Sequence, residues 1–350
     1  MKHTVSLSGG RTSTGPLPKA VIDKYGKENV DLIFCDTGAE HPDTYRFVRD
    51  AERELDMPIT CLKLIMPKEE GKGCQYLVCT TDDIKPDYFA WKQLTSKYGN
   101  PFMPGGKFCT DQMKTQLFKK YCIDKYGKDG FYTWLGYRFE EGQRIWGKKA
   151  SLVLGNLGLS NVEKTQFYLD CISGKTEKLL DDYYPNLFPD PELDKEKDII
   201  RKALKTISDK NYRFMPEVCT FDKGDVIQWW SDKSNDLLID AHLTNCVFCI
   251  EKPHSVVMLA IKDEPEIAKE FLDIVESPEV AHKSNRQHAD DVMFRNAITF
   301  RQLYDKTQKL SRTDILMMSK MGQEIAASRP CAGGECSPFG DIHEEQHSLF

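Results

Sequence analysis

The chain has 350 residues, 40% hydrophobic, 29% charged and 11% aromatic, with a formal net charge of −6. Its apolar content excludes a disordered chain, and its acidic balance excludes wrapping of nucleic acid by bulk electrostatics. The longest aliphatic run, Val256-Val257-Met258-Leu259-Ala260-Ile261, is far short of the ~20 residues that span a bilayer, and residues 1–6 lack the apolar stretch of a signal peptide, so a cytoplasmic protein with no membrane partner is expected.

At ~150 residues per domain the length corresponds to about two domains. Residues 4–7 form a short β-prone run ending at Ser8-Gly9-Gly10, and residues 17–25 read as a helix. Residues 30–35 are a continuous apolar strand followed by Asp36-Thr37-Gly38. Residues 44–55 then place Tyr45, Val48, Ala51 and Leu55 at helical spacing, and residues 58–65 form a third strand. Alternating strands and helices with apolar strands predict an α/β fold, a parallel twisted sheet with helices on both faces. Another strand, residues 131–135, ends at Gly136-Tyr137-Arg138 and extends that sheet.

Two stretches interrupt the alternation. Residues 66–106 are rich in Lys, Gly and Pro and read as an excursion over the sheet. Residues 175–212 carry Asp181-Asp182-Tyr183-Tyr184-Pro185 and then a charged helix, which reads as a solvated insertion. From residue 221 onward the pattern is mainly helical. The expected organisation is an α/β domain over 1–160, a charged insertion over 161–220 and a mainly helical C-terminal portion over 221–350. Trp229-Trp230 and residues 294–304 read as core.

The first strand runs directly into Ser6-Leu7-Ser8-Gly9-Gly10-Arg11-Thr12-Ser13. Two glycines let the backbone approach an anion, Ser8, Thr12 and Ser13 supply hydroxyls, and a following helix aims its amides at the same point. The spacing and the missing lysine exclude a GxxxxGK(S/T) phosphate loop. Asp36, at a strand end, can take ribose hydroxyls or an adenine amine, or else cap the helix beginning near Pro42. Arg138, Arg144 and Lys114 can surround a transferring phosphate or sulfate with positive charge.

Twelve cysteines in a reducing compartment do not make a disulfide scaffold. Cys35 and Cys61 lie in apolar strands and read as small buried hydrophobes. Cys246-Val247-Phe248-Cys249 is a CxxC, and Cys331-Ala332-Gly333-Gly334-Glu335-Cys336 is a CxxxxC. Two such pairs can complete a four-sulfur set for Zn or an iron–sulfur cluster.

Ser8-Gly9-Gly10-Arg11-Thr12-Ser13 resembles the SGGxDS-type pyrophosphate loop (PP-loop) of the adenine nucleotide α-hydrolases. Asp36-Thr37-Gly38-Ala39-Glu40-His41-Pro42-Asp43-Thr44 is similar to a block of the phosphoadenosine-phosphosulfate (PAPS) reductase-like family in that superfamily. Lys107-Phe108-Cys109-Thr110-Asp111-Gln112-Met113-Lys114 and Gly136-Tyr137-Arg138-Phe139-Glu140-Glu141-Gly142-Gln143-Arg144 resemble two further blocks of it, in the same order. The resemblance implies an adenine nucleotide α-hydrolase-like fold. It implies ATP, or PAPS or its unphosphorylated relative APS, bound by Ser8, Gly9, Gly10, Arg11, Thr12, Ser13, Asp36, Thr37, Gly38 and Gly136, with Lys114, Arg138, Glu141 and Arg144 as catalytic groups. It also implies a 4Fe-4S cluster on Cys109, Cys246 and Cys249, completed by Cys331 or Cys336. The competing set is Cys246, Cys249, Cys331 and Cys336, and Zn is the alternative occupant. Thr12 stands where the family's loop carries an acid, and a hydroxyl cannot neutralise Mg²⁺.

The expected reaction is ATP-dependent activation with sulfur transfer. The alternatives are reduction of a sulfated adenylate, with Cys336 as nucleophile although Ser337 replaces the family's glycine, and a nucleotide-sensing module acting through a partner. Sulfur transfer admits a sulfur-donor protein and a nucleic-acid acceptor. The lysines at 63, 68, 72, 107, 114, 119, 120, 125 and 128 offer a basic face to the latter, or simply a solvated surface.

Overall fold

Uninterrupted apolar runs become strands buried on both faces. The computed structural model describes residues 1–67, 69, 72–99, 108–175, 194–277, 293–295 and 298–327. Its main sheet contains β1 (Lys2–Leu7), β2 (Val30–Asp36), β3 (Ile59–Ile65), β4 (Gln75–Cys79), β5 (Phe131–Leu135) and β6 (Tyr212–Phe214). The order is β4-β3-β2-β1-β5-β6; β4 runs antiparallel to β3 and the remaining pairings are parallel. This is the expected α/β architecture, a mostly parallel sheet with helices.

Side-chain alternation divides the core between the two faces. Val5, Leu32, Phe34 and Ile59 pack against α1 (Pro16–Tyr25) and α2 (Pro42–Leu55), through Leu17, Val21, Tyr45, Val48 and Ala51. Ile33, Cys35, Leu62 and Leu64 face the opposite way, onto α3 (Phe89–Tyr98) and α4 (Gln116–Tyr126). Cys35 and Cys61 are buried packing residues, as expected, and burial pushes the Cys35 thiol up to about 12.

The helix α2 begins at Pro42, and its cap is His41, whose Nδ1 accepts the Asp43 N–H at 3.1 Å. Asp36, the alternative cap, points elsewhere. The 66–106 stretch does more than pass over the sheet. Its described part adds the edge strand β4 and buries Ala90, Trp91 and Leu94 of α3.

Beyond β5 come α5 (Gly142–Asn156), α6 (Asn161–Asp170) and α7 (Asp194–Asp209). The last is the charged helix expected to be solvated. It instead buries Ile200, Ala203 and Ile207 against α5 and α6, because those residues recur on one helical face while its lysines occupy the other. The same 161–220 stretch supplies β6, which pairs with β5.

The 221–350 portion is mainly helical where described, with one short antiparallel pair, Met293–Arg295 and Ile298–Thr299. It contains α8 (Lys223–Ser231), α9 (His254–Asp263), α10 (Pro265–Val275), α11 (Phe300–Gln308) and α12 (Arg312–Ala327). Phe248, Phe271 and Phe300 pack there in tilted and edge-to-face contacts, in the same core as Ile33 and Leu62 of the sheet. Trp230 is fully buried against Phe47.

Candidate functional site

The sheet reverses its winding at β1: the chain adds β2 and β3 on one side, then returns to place β5 on the other. The loops leaving β1 and β5 therefore diverge at their carboxyl ends and leave a crevice, the usual ligand position in such folds. An open cleft enclosing about 1000 Å³, solvent included, lies there.

The loop after β1 is a closed knot. Gly9 has φ +76, and a Cβ there would stand 2.5 Å from Thr44 Cγ2, so both conformation and space demand glycine. Ser13 Oγ accepts the Ser8 N–H at 3.0 Å and lies 2.7 Å from Ser8 Oγ. A one-turn helix, Arg11–Thr14, follows. Gly136 lies so near that a Cβ would sit 3.1 Å from Ser13 Cα. Trp230 of α8 holds the loop from outside, donating Nε1–H to the Arg11 carbonyl at 3.0 Å.

Of the expected nucleotide contacts, Ser8, Gly10, Arg11, Thr12, Ser13 and Gly136 line the cleft. The Arg11 guanidinium is turned onto Asp236, at 2.7 and 3.0 Å, and the Leu237 carbonyl at 2.6 Å.

The loop after β5 brings Arg138 and Arg144 to the same cleft. Glu141, 7% exposed, braces both: Oε2 accepts the Arg138 N–H at 2.8 Å and Oε1 accepts Arg144 Nη1 at 2.6 Å. Arg138 also donates to Glu140 at 2.7 Å and to Thr12 Oγ1 at 3.3 Å. The Arg144 guanidinium lies 4.2 Å from the Tyr137 ring centroid.

Asp36 lies outside this group. It is 1% exposed, and its Oδ1 accepts the Gly38 N–H at 2.8 Å and the Tyr45 hydroxyl at 3.0 Å. Burial pushes its carboxyl up to about 6. It shapes the turn that carries Thr37 and Gly38, and neither of those lines the cleft. Lys114 is also elsewhere, 5% exposed, with Nζ 3.4 Å from Glu40 Oε1. Lys63 is likewise buried, against Asp36 and Asp87, which removes both from any basic surface.

A second, smaller pocket gathers Cys109, Cys246 and Cys249, with Thr37, Lys114 and Trp91 in its walls. Cys109 arrives on the helical turn Phe108–Thr110, and the two others on the loop before α9. A bridge pairs Glu40 with Cys246, and the Val247 N–H donates to the Ala39 carbonyl at 2.9 Å, joining the cysteine turn to the loop after β2. Asn245 lines the large cleft while its neighbour Cys246 lines the cysteine pocket, so the two sites share a wall. Cys331 and Cys336 lie outside the described residues, as do Lys68 and Lys107.

No protein-family model matches the chain, and no solved structure matches it. Over 302 residues, 85% of this chain and 82% of the relative, it is 30% identical to the uncharacterized nin region protein ORF290 of Escherichia phage lambda. The chain belongs to the family of that phage protein.

The sequence alone leaves several site residues unassigned. Glu40 stands between Lys114 and Cys246, whose Sγ is 3.5 Å from its Oε1. Its position beside Thr37 was the available signal. Asp236 grips Arg11 from 225 residues away, and no local pattern marks it. A further polar group, Asp240, His242 and Asp263, has ligand-capable atoms within 4.8 Å of one another. Arg312 occupies both Asp263 oxygens, at 2.7 and 2.9 Å, so this group is a clasp between α12 and α9.

Proposed function

We propose that the chain is a PAPS reductase-like enzyme with an adenine nucleotide α-hydrolase fold, binding ATP or a related adenylate at its 8–13 loop and coupling acceptor activation to sulfur transfer. The observation that carries this reading is the shared wall. A loop suited to phosphates and two braced arginines form one cleft, and three thiol side chains from distant segments meet in the adjoining pocket.

The glycine-rich loop presents backbone amides and the Ser8 and Ser13 hydroxyls to phosphate oxygens. An acceptor oxygen attacking the α-phosphorus forms a P–O bond as the bond to the bridging oxygen breaks, and pyrophosphate leaves. Arg138 and Arg144, pre-aimed by Glu141, offset the charge that develops on the phosphoryl and leaving oxygens. Thr12 donates a hydroxyl where a carboxylate would hold Mg²⁺, so a bound Mg²⁺ would depend on the nucleotide's own oxygens.

Cys109, Cys246 and Cys249 would hold a 4Fe-4S cluster, with Cys331 or Cys336 as the fourth ligand. Thiolate ligands suit either Zn or an iron–sulfur cluster, and the resemblance to the cluster-containing family favours the cluster. When bound, such a cluster supplies iron-bound sulfur chemistry next to the activated acceptor. A sulfur-donor protein and a nucleic-acid acceptor are compatible partners.

Incubating the full chain with ATP, Mg²⁺, candidate acceptors and sulfide as sulfur donor should release pyrophosphate as the acceptor is adenylated and AMP as sulfur displaces it, and Arg138→Met should slow pyrophosphate release by about 10²-fold. Clear ATP binding with no AMP or pyrophosphate under any acceptor would overturn the enzyme reading. Thr12 is the residue that favours the second reading, a nucleotide-sensing module, in that event. Turnover of PAPS or APS to sulfite would instead identify a sulfonucleotide reductase.

A further inference from the structure

The turn that carries Cys246 and Cys249 is closed by one ammonium group. Lys252 Nζ donates to the carbonyls of His242 at 2.8 Å, Cys246 at 3.0 Å and Val247 at 3.0 Å. The Cys246 carbonyl also accepts the Cys249 N–H at 3.2 Å, and the Cys249 carbonyl accepts the Lys252 N–H at 3.0 Å. Two successive turns are thus chained, and the lysine side chain folds back to tie their ends together.

Asn245, immediately before Cys246, sits at φ +58, a left-handed conformation that asparagine adopts more readily than other non-glycine residues. The three convergent bonds hold the carbonyls on either side of it, and Cys246 with them. Three carbonyl dipoles aimed at one point suit an ammonium, which carries three donors and no acceptor. A neutral side chain would leave those carbonyls facing one another.

We propose that Lys252 is the positioning residue of the cysteine pocket: its three-carbonyl clamp fixes the 242–247 turn so that Cys246 and Cys249 present their sulfurs to one metal centre, and its charge offsets theirs. The metal half of this statement rests on the cluster reading above; the clamp itself does not. Groups that orient metal ligands from behind commonly matter by 10–100-fold in metal affinity, and a cation beside an anionic cluster favours its reduced, more negative form.

The test uses the full chain with Lys252→Met and Lys252→Arg, purified anaerobically. In metal-free protein, amide hydrogen exchange across 242–252 should accelerate in Lys252→Met while the β1–β5 amides stay unchanged. In iron-loaded protein, Lys252→Met should lose iron to a chelator about tenfold faster than wild type. Its reduction potential should move negative, and Lys252→Arg, which keeps the charge, should return the potential toward wild type.

Unchanged exchange across 242–252 in Lys252→Met overturns the clamp, and an unchanged potential overturns the charge role. A wild-type chain that takes up no iron overturns the cluster reading instead, and hydrogen exchange then decides the clamp alone. If Lys252→Met exchanges quickly everywhere, Lys252→Arg decides. A guanidinium cannot place one nitrogen among three carbonyls, so its exchange should rise across 242–252 only, and unchanged exchange there contradicts the proposal.

Discussion

Glu141 does most to prepare the cleft, because one carboxylate takes the Arg144 guanidinium at 2.6 Å and the Arg138 backbone N–H at 2.8 Å, with the Arg138 guanidinium 3.5 Å away. Glu141→Ala leaves Arg138 and Arg144 to reorient, and hydrogen bonds to charged groups contribute about 1.5–3 kcal/mol each. ATP affinity measured by calorimetry should fall about tenfold or more, and an unchanged affinity would refute the bracing role. Asp36 makes a separate, pH-dependent contribution. Its folded pKa of about 6 lies above its ordinary 3.8, so the folded state binds that proton more tightly. The associated stability is fully present below about pH 4 and is lost as pH rises through about 6. Asp36→Asn removes this dependence, so the variant should gain on wild type, by on the order of 2 kcal/mol, between pH 4 and pH 7.5 in urea titrations. A stability gap independent of pH would contradict it. The sequence placed Asp36 correctly at a strand end yet misjudged its direction. A carboxylate there reads the same whether it faces a ligand or, as here, folds back onto Gly38 and Tyr45.

Elements were legible in proportion to how fully they are buried. The strands β2 and β3 are nearly unbroken apolar runs and β5 is rich in aromatics, so their sequences mark them as strands without help from neighbours, whereas β1 carries Thr4 and Ser6 opposite Val5 and Leu7 and is marked by the Gly-Gly turn that follows it. The edge strand β4 is largely exposed and β6 has only three residues, so neither carries a distinctive pattern. The helix α7 shows the opposite difficulty. Its charge suggested solvation, while Ile200, Ala203 and Ile207 at helical spacing make it a buried layer over α5 and α6. Ile200→Ala should therefore cost about 2–4 kcal/mol in a denaturation midpoint analysis. Lys202→Ala on the exposed face should change stability by no more than about 0.5 kcal/mol. Equal effects from the two would mean that α7 is not packed as described.

At the scale of the whole molecule, the winding reversal at β1 explains why residues 8–13 and 136–144 meet although more than a hundred positions separate them. Their motifs were readable, whereas their meeting depends on strand order, which local sequence does not specify. The cysteines show the same limit. CxxC spacing marks Cys246 and Cys249, but only the chain's resemblance to a known family paired them with Cys109, and the fold is what carries Cys109 to their pocket. Because Asn245 and Cys246 stand on opposite sides of one wall, ligand in the cleft and occupant in the pocket should sense each other. The most direct measurement is the visible absorbance of anaerobically purified protein during iron chelation, with and without ATP. A brown protein with a band near ~400 nm, bleached more slowly when ATP is present, is the expected result. A colourless, iron-free protein, or bleaching at a rate indifferent to ATP, would contradict the account.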